Sequence, residues 1–200
     1  MRVERLSVGR LKKKIAIYGG TFDPVHHAHL ILAREVIETL GLDKVVLVPA
    51  AISPLKKTAP IASGEVRLAM LQTAIKGEPK FEVDECELLR PPPSYTIDTV
   101  ERIRRRECDA SIYCLIGEDN VEQLPRWHRF AELEKMVGFV VLDRTGKQPS
   151  HSYQLIHRPI DISATEIRRR IAQNESIRYL VPESVEEIIK RENLYREQSQ

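Results

Sequence analysis

The sequence predicts an α/β protein with an open, doubly wound, mostly parallel sheet. Three observations carry that prediction. The short runs Ile15–Tyr18, Lys44–Val48, Ser111–Ile116 and Gly138–Leu142 are close to continuously apolar, as strands buried on both faces are. Between them lie segments whose apolar residues recur at helical intervals. Strand alternating with helix over 200 residues favours crossover units that return to one sheet.

In order along the chain, residues 1–13 are highly charged and are expected to form a flexible extension, with 14–200 as a single domain. The strand from Ile15 runs into Gly19 and Gly20. A helix follows from His27, with Leu30, Ile31, Val36, Ile37 and Leu40 on its apolar face and Gly41 as its stop. Lys44–Val48 is a buried strand ended by Pro49. Ala50–Ala62 contains Pro54 and Pro60 and reads as a loop. Ser63 then caps a helix to Ala74. Phe81–Asp84 alternates as a more exposed strand, Pro91–Pro93 forbids regular structure, and Thr96–Arg106 is helical. After the last two strands, helices over Ala164–Asn174 and Pro182–Asn193 make a small C-terminal cap. This arrangement is Rossmann-like, and its ligands are expected beyond the carboxyl ends of the strands, where Gly19, Pro49, Gly117 and Arg144 fall.

Bulk properties narrow the function. A formal charge of +2 gives no global field for nucleic acid or membrane. The arginine clusters 104–106 and 168–170 are interspersed with acids and lack stacking aromatics, so they read as solvated helix faces. Cys86, Cys108 and Cys114 show no paired spacing, which suits a reducing interior. No signal core or membrane-length apolar segment occurs, and a cytoplasmic location is expected.

The chemistry concentrates at Gly19–Leu30, Gly-Gly-Thr-Phe-Asp-Pro-Val-His-His-Ala-His-Leu. The glycines let backbone approach a bulky anion, and helix N–H groups face it. His26 and His29 lie on one face of the first turn, as cationic or hydrogen-bonding imidazoles suited to phosphate oxygens. A zinc site is disfavoured, because no Cys or carboxylate set and no HExxH pattern accompanies the histidines.

Other segments admit two explanations from the residues alone. Ser163, Thr165 and Arg168 open a helix either as an ordinary cap or as a second anion site. Ser94-Tyr95-Thr96 can be a capping motif. Trp127 can anchor its loop or stack on a ligand ring. Asp119 can be an exposed acidic turn or can orient a ribose or a magnesium-bound nucleotide, and Lys56 can be solvated or can neutralise phosphate.

Gly19–Leu30 resembles the signature of the nucleotidylyltransferase superfamily, with Ala28 where that family has glycine between its two histidines. Ile162–Arg168 resembles that superfamily's late triphosphate motif, except at Ala164. Ser94–Thr99, Gly117–Asp119 and Leu124–Trp127 are similar to segments of the bacterial nicotinate-nucleotide adenylyltransferases, and the likeness spans about Lys14 to Tyr195. Lys56 matches a conserved-type lysine although Leu55 replaces a histidine. Arg144 matches the arginine of an Arg-Pro-Gly segment with Thr145 in place of proline, which predicts a less rigid loop.

The resemblance implies adenylyl transfer from ATP to nicotinate mononucleotide, giving deamido-NAD and pyrophosphate. It implies His26 and His29 as catalytic residues. Gly19, Gly20, Thr21, Phe22, Gly117, Asp119, Ser163, Thr165 and Arg168 would bind ATP, and Lys56, Ser94, Tyr95, Thr96, Trp127 and Arg144 the acceptor. Mg2+ would come in on substrate phosphates, with no protein metal site. Alternatives are a sister transferase using nicotinamide mononucleotide or pantetheine phosphate, or a non-catalytic nucleotide sensor. The oligomeric state is open between monomer and homo-oligomer.

Overall fold

A computed structural model describes residues 12–52, 58–146 and 151–196. Its six strands are β1 (Lys14–Gly20), β2 (Lys44–Pro49), β3 (Phe81–Val83), β4 (Ser111–Gly117), β5 (Gly138–Asp143) and β6 (Gln154–His157). They form one sheet in the order β3-β2-β1-β4-β5-β6, with every neighbouring pair parallel. The strand order reverses between β1 and β4, so the connections that follow those two strands leave toward opposite faces of the sheet and open a crevice there.

Continuous apolar runs are required because both faces are covered. On β1, Ala16 and Tyr18 join one core while Ile15 and Ile17 join the other. On β2, Val45 and Leu47 face the first core, and Val46 and Val48 the second. The first core is covered by α1 (His27–Leu40), α2 (Gly64–Ala74), α5 (Ala164–Ala172) and α6 (Glu183–Arg191). The second is covered by α3 (Thr96–Arg106) and α4 (Phe130–Met136). Gly41 ends α1 in the left-handed conformation, and Ser63 Oγ caps α2 by accepting from Val66 N–H at 3.3 Å.

Edge elements are less apolar than the sequence criteria require. β6 buries only Ile156 and was not predicted. The 3₁₀ segment Glu118–Arg126, which contains Pro125, and the short α4 fill the connection between β4 and β5. β3 is half-buried throughout, as its alternation predicted.

One buried polar cluster fastens the loop after β1. Arg67 is 2 % exposed. It donates to Ala62 O at 3.2 Å, Thr21 O at 2.8 Å and Ala50 O at 2.7 Å. The Asp23 carboxylate accepts from Ile61 N–H at 2.7 Å, Ala62 N–H at 3.1 Å and the Tyr195 hydroxyl at 2.6 Å. Burial lowers the Arg67 pKa while the Asp23 charge opposes that shift. Burial and the bond to Asp23 raise that of Tyr195.

Arg67→Met removes the donor from three backbone carbonyls and the cation from beside Asp23. Urea unfolding should show a loss of about 3 kcal/mol. Tyr195→Phe keeps the ring packing and should cost about 1.5 kcal/mol in the same assay.

Candidate active site

The glycine turn at the end of β1 has two different jobs. Gly19 has open space where a Cβ would stand, and it lines the crevice. At Gly20 a Cβ would lie 2.9 Å from Phe22 Cζ, so the absent side chain admits a protein ring. Both glycines line the crevice, as their motif leads one to expect, and Gly20 also makes room for Phe22. That ring is 2 % exposed and packs edge-on to Tyr18 at 5.7 Å and to His29 at 5.0 Å. The backbone of Phe22 is left-handed, at φ 48°. Phe22 therefore shapes the turn from inside, and its aromatic face is taken up by the protein.

α1 starts at His27, with His26 as its extended N-cap. The His26 and His29 rings stack with centroids 3.7 Å apart and planes at 25°. His26 N–H donates to His29 Nδ1 at 3.3 Å, which leaves Nε2 as the proton-bearing nitrogen of a neutral His29 ring. His26 is 2 % exposed. Burial, followed by the nearby charges of Arg144 and His27, lowers its pKa to about 3. The imidazole of His26 is therefore uncharged at neutral pH, so of the cationic and hydrogen-bonding alternatives it takes the second, which avoids stacking two like charges. Its Nδ1 is buried without a partner among the described residues. Ala28, the departure between the histidines, is fully buried, so its methyl group lies within the protein.

Opposite this pair stands the start of α5. Ser163 Oγ accepts from Glu166 N–H at 3.1 Å, so it is the helix cap, with its own hydroxyl proton still to give. Arg168 donates to Asp23 O at 2.8 Å and to Thr165 Oγ1 at 3.3 Å. The guanidinium is thereby moored to the loop that carries the histidines. Arg144, just beyond β5, is exposed and donates to Ile162 O at 3.1 Å. The structure thus sets Arg144 beside the α5 start and within electrostatic reach of His26, rather than on the wall of the crevice.

The crevice between β1 and β4 is a cavity of about 470 Å³. Gly19, Gly20, Thr21, Ser94, Tyr95, Thr96, Gly117 and Trp127 line it, which brings together residues from four separate sequence motifs. Tyr95 is the extended residue before α3, and no side chain caps that helix. The first amides of α3 are thus available to an anion at the cavity wall. Ser94 is chiefly a clamp: its amide donates to Ile52 O and its hydroxyl accepts from Ala51 N–H, each at 3.2 Å. The Trp127 ring is half-buried against Phe139 at 6.3 Å, as an anchor of its loop, and also lines the cavity. At Gly117 a Cβ would meet Asp119 Oδ1 at 2.4 Å, so the glycine lets the exposed acid fold back over the strand end. Lys56 and Leu55 lie outside the described residues.

Several lining residues escaped sequence analysis. Glu87 is 7 % exposed and accepts from the Thr99 hydroxyl at 2.7 Å, while Arg90 donates to the same hydroxyl at 2.8 Å. Burial raises the Glu87 pKa against the bond from Thr99. His128 stacks on Tyr95 at 4.2 Å. Glu87 and Arg90 precede the proline run by a few residues, an acid and a base beside predicted loop, and nothing in their spacing marks them as buried.

A parallel sheet that reverses order at a crevice of about 470 Å³, with the uncapped start of α3 on its wall and the start of α5 moored through Arg168 to the loop that leads into α1, defines a Rossmann-like nucleotide-handling protein. Residues 17–170 match the cytidylyltransferase-like family. A probable nicotinate-nucleotide adenylyltransferase from Bacillus pumilus is 40 % identical over 92 % of this chain and 98 % of the relative. The nicotinate-nucleotide adenylyltransferase of Bacillus subtilis is 35 % identical over the same 92 % of this chain and 98 % of its own length. On these matches the chain belongs to the nicotinate-nucleotide adenylyltransferase family. The fold also superposes, with a TM-score of 0.76 at 20 % identity, on a Plasmodium falciparum nicotinic acid mononucleotide adenylyltransferase complexed with NaAD, covering 92 % of this chain and 97 % of that one.

A buried imidazole that resists protonation makes stability depend on pH. The unfolded His26 binds a proton below about pH 6.5 and the folded one only near its lowered pKa of about 3, so stability falls as pH drops through that window. Wild type should lose stability relative to His26→Gln on acidification from pH 6 to pH 4, by up to about 1.4 kcal/mol per pH unit in urea titrations. Parallel pH profiles for the two proteins would count against a buried neutral His26.

Proposed function

We propose that this protein transfers the adenylyl group of ATP to nicotinate mononucleotide, forming deamido-NAD and pyrophosphate in NAD biosynthesis. The observation that carries the acceptor assignment is the uncapped start of α3 opening onto a cavity walled by Tyr95 and Trp127. Helix amides favour a ring carboxylate, and flat aromatic walls favour the ring that bears it. The named functions of the Bacillus relatives support the same reading.

In this scheme a phosphate oxygen of the acceptor attacks the α-phosphorus of ATP in line. The bond to the bridging oxygen of the β-phosphate breaks and pyrophosphate departs, with no covalent enzyme intermediate. His29 donates from Nε2 to the oxygens that gather charge in the transition state. His26, uncharged, stacks on His29 and fixes its orientation through the backbone bond. Thr21 and Lys56 meet the approaching phosphates, and Ser163, Thr165 and Arg168 hold the β and γ phosphates at the α5 start. Arg144, moored beside them, adds cationic charge to the acceptor phosphate. Backbone at Gly19, Gly20 and Phe22, with Gly117 and Asp119, borders the adenosine side. Ser94 and Thr96 shape the acceptor wall.

Among the described residues no three His, Cys, Asp or Glu side chains converge on a common point. Magnesium carried on the substrate phosphates would neutralise the leaving pyrophosphate, with exposed Asp119 a candidate carboxylate for it. A cytoplasmic setting agrees with three free cysteines. Among the described residues no helix is long and apolar enough to cross a membrane.

Pyrophosphate release, measured with ATP and each of nicotinate mononucleotide, nicotinamide mononucleotide and pantetheine phosphate, tests the assignment. Release with the first is expected to dominate. Preference for either of the others reassigns the acceptor, and ATP binding without release in any mixture indicates a sensor. In the productive mixture, His29→Ala should lower turnover by roughly a hundredfold with the fold retained by circular dichroism.

A further inference from the structure

The turn that carries Arg144 is held by a carboxylate–imidazole pair. Asp143 ends β5 and His157 ends β6, directly opposite each other in the parallel register. The buried Asp143 carboxylate accepts from Thr145 N–H at 2.8 Å, the Thr145 hydroxyl at 3.1 Å and Gly146 N–H at 3.1 Å, and lies 2.7 Å from His157 Nδ1. Burial alone raises the Asp143 pKa, but these donors outweigh it and hold the carboxyl down at about 2. Gly146 has φ +75°, and a Cβ there would stand 3.0 Å from His157 Cε1, so the imidazole packs flat into the turn. From the other side, Asp143 O accepts from Arg158 N–H at 2.9 Å and Arg144 O from Ile160 N–H at 3.3 Å.

The consequence for Arg144 is electrostatic as well as geometric. An arginine next in sequence to an aspartate would ordinarily neutralise it. Here the carboxylate is saturated by the turn and by His157, and Arg144 makes no ion pair among the described residues. Its one side-chain bond, to Ile162 O, ties it to the segment leading into α5. Thr145 contributes an amide and a hydroxyl to this arrangement. A proline there would stiffen the turn through its ring and offer no N–H.

We propose that Asp143 and His157 are a positioning pair for Arg144: they fix the 143–146 turn by hydrogen bonds and keep its guanidinium unpaired for a substrate phosphate. The proposal rests on the phosphate role given to Arg144 above. A double-mutant cycle tests it, run with whichever acceptor supports turnover. Asp143→Asn and His157→Gln should each lower kcat/KM by about tenfold, chiefly through KM, as misplacement of a binding group does. In an Arg144→Ala background Asp143→Asn should add less than twofold, while still lowering the urea midpoint as much as it does alone.

A loss that adds in full to that of Arg144→Ala, or Asp143→Asn and His157→Gln proteins with unchanged kcat/KM, overturns the proposal and leaves the Arg144 assignment standing. Unchanged kinetics in Arg144→Ala overturns both. If Asp143→Asn fails to fold, the His157→Gln cycle carries the same decision.

Discussion

The buried Asp23–Arg67 cluster is the constraint on which the rest depends. The loop after β1 borders the open crevice, so it cannot be stabilised by burying that face. It is instead held from behind. Arg67 gathers carbonyls from residues 21, 50 and 62, and Asp23 gathers amides from residues 61 and 62. Two loops that follow different strands are thereby locked to each other at the sheet's carboxyl edge. The arginine and aspartate are costly to desolvate, and only the near-complete set of partners makes their burial tolerable.

That rigid floor sets the electrostatic character of the site. Burial keeps His26 uncharged, so positive potential comes from helix starts and from Arg144 and Arg168 rather than from the stacked imidazoles. A neutral ring can donate or accept without repelling its neighbour, which permits the 3.7 Å stack. The cationic arginines are both moored to backbone carbonyls, Arg168 to Asp23 O and Arg144 to Ile162 O, and so little side-chain freedom is left to lose when an anion arrives.

Much of this was legible in the sequence because it is governed by short-range patterns. The four central strands and the helix starts at His27, Ser63, Thr96 and Ala164 all follow from periodicity and capping chemistry. What escaped is held by long-range contacts. β6 is paired by β5 and carries a single buried residue, so it has little pattern of its own. Glu87, Thr99, Asp143 and His157 are ordinary polar residues until the sheet brings them face to face. The same limit hides second roles. Gly20 and Phe22 share one motif, but only the folded turn reveals that one makes space for the other. Thr145 in place of proline predicted a slacker loop, whereas the Asp143 side chain compensates from two residues away.

The Tyr195 hydroxyl meets Asp23 across 172 residues of sequence. Translation delivers the glycine turn long before this partner. Until α6 and the segment after it have emerged and docked, the carboxylate beneath the histidines lacks its third donor, so a growing or truncated chain carries every motif of the front loop without its final fastening. A late-made residue is thus written into the floor of the site, and a fragment ending before Tyr195 holds that floor less firmly.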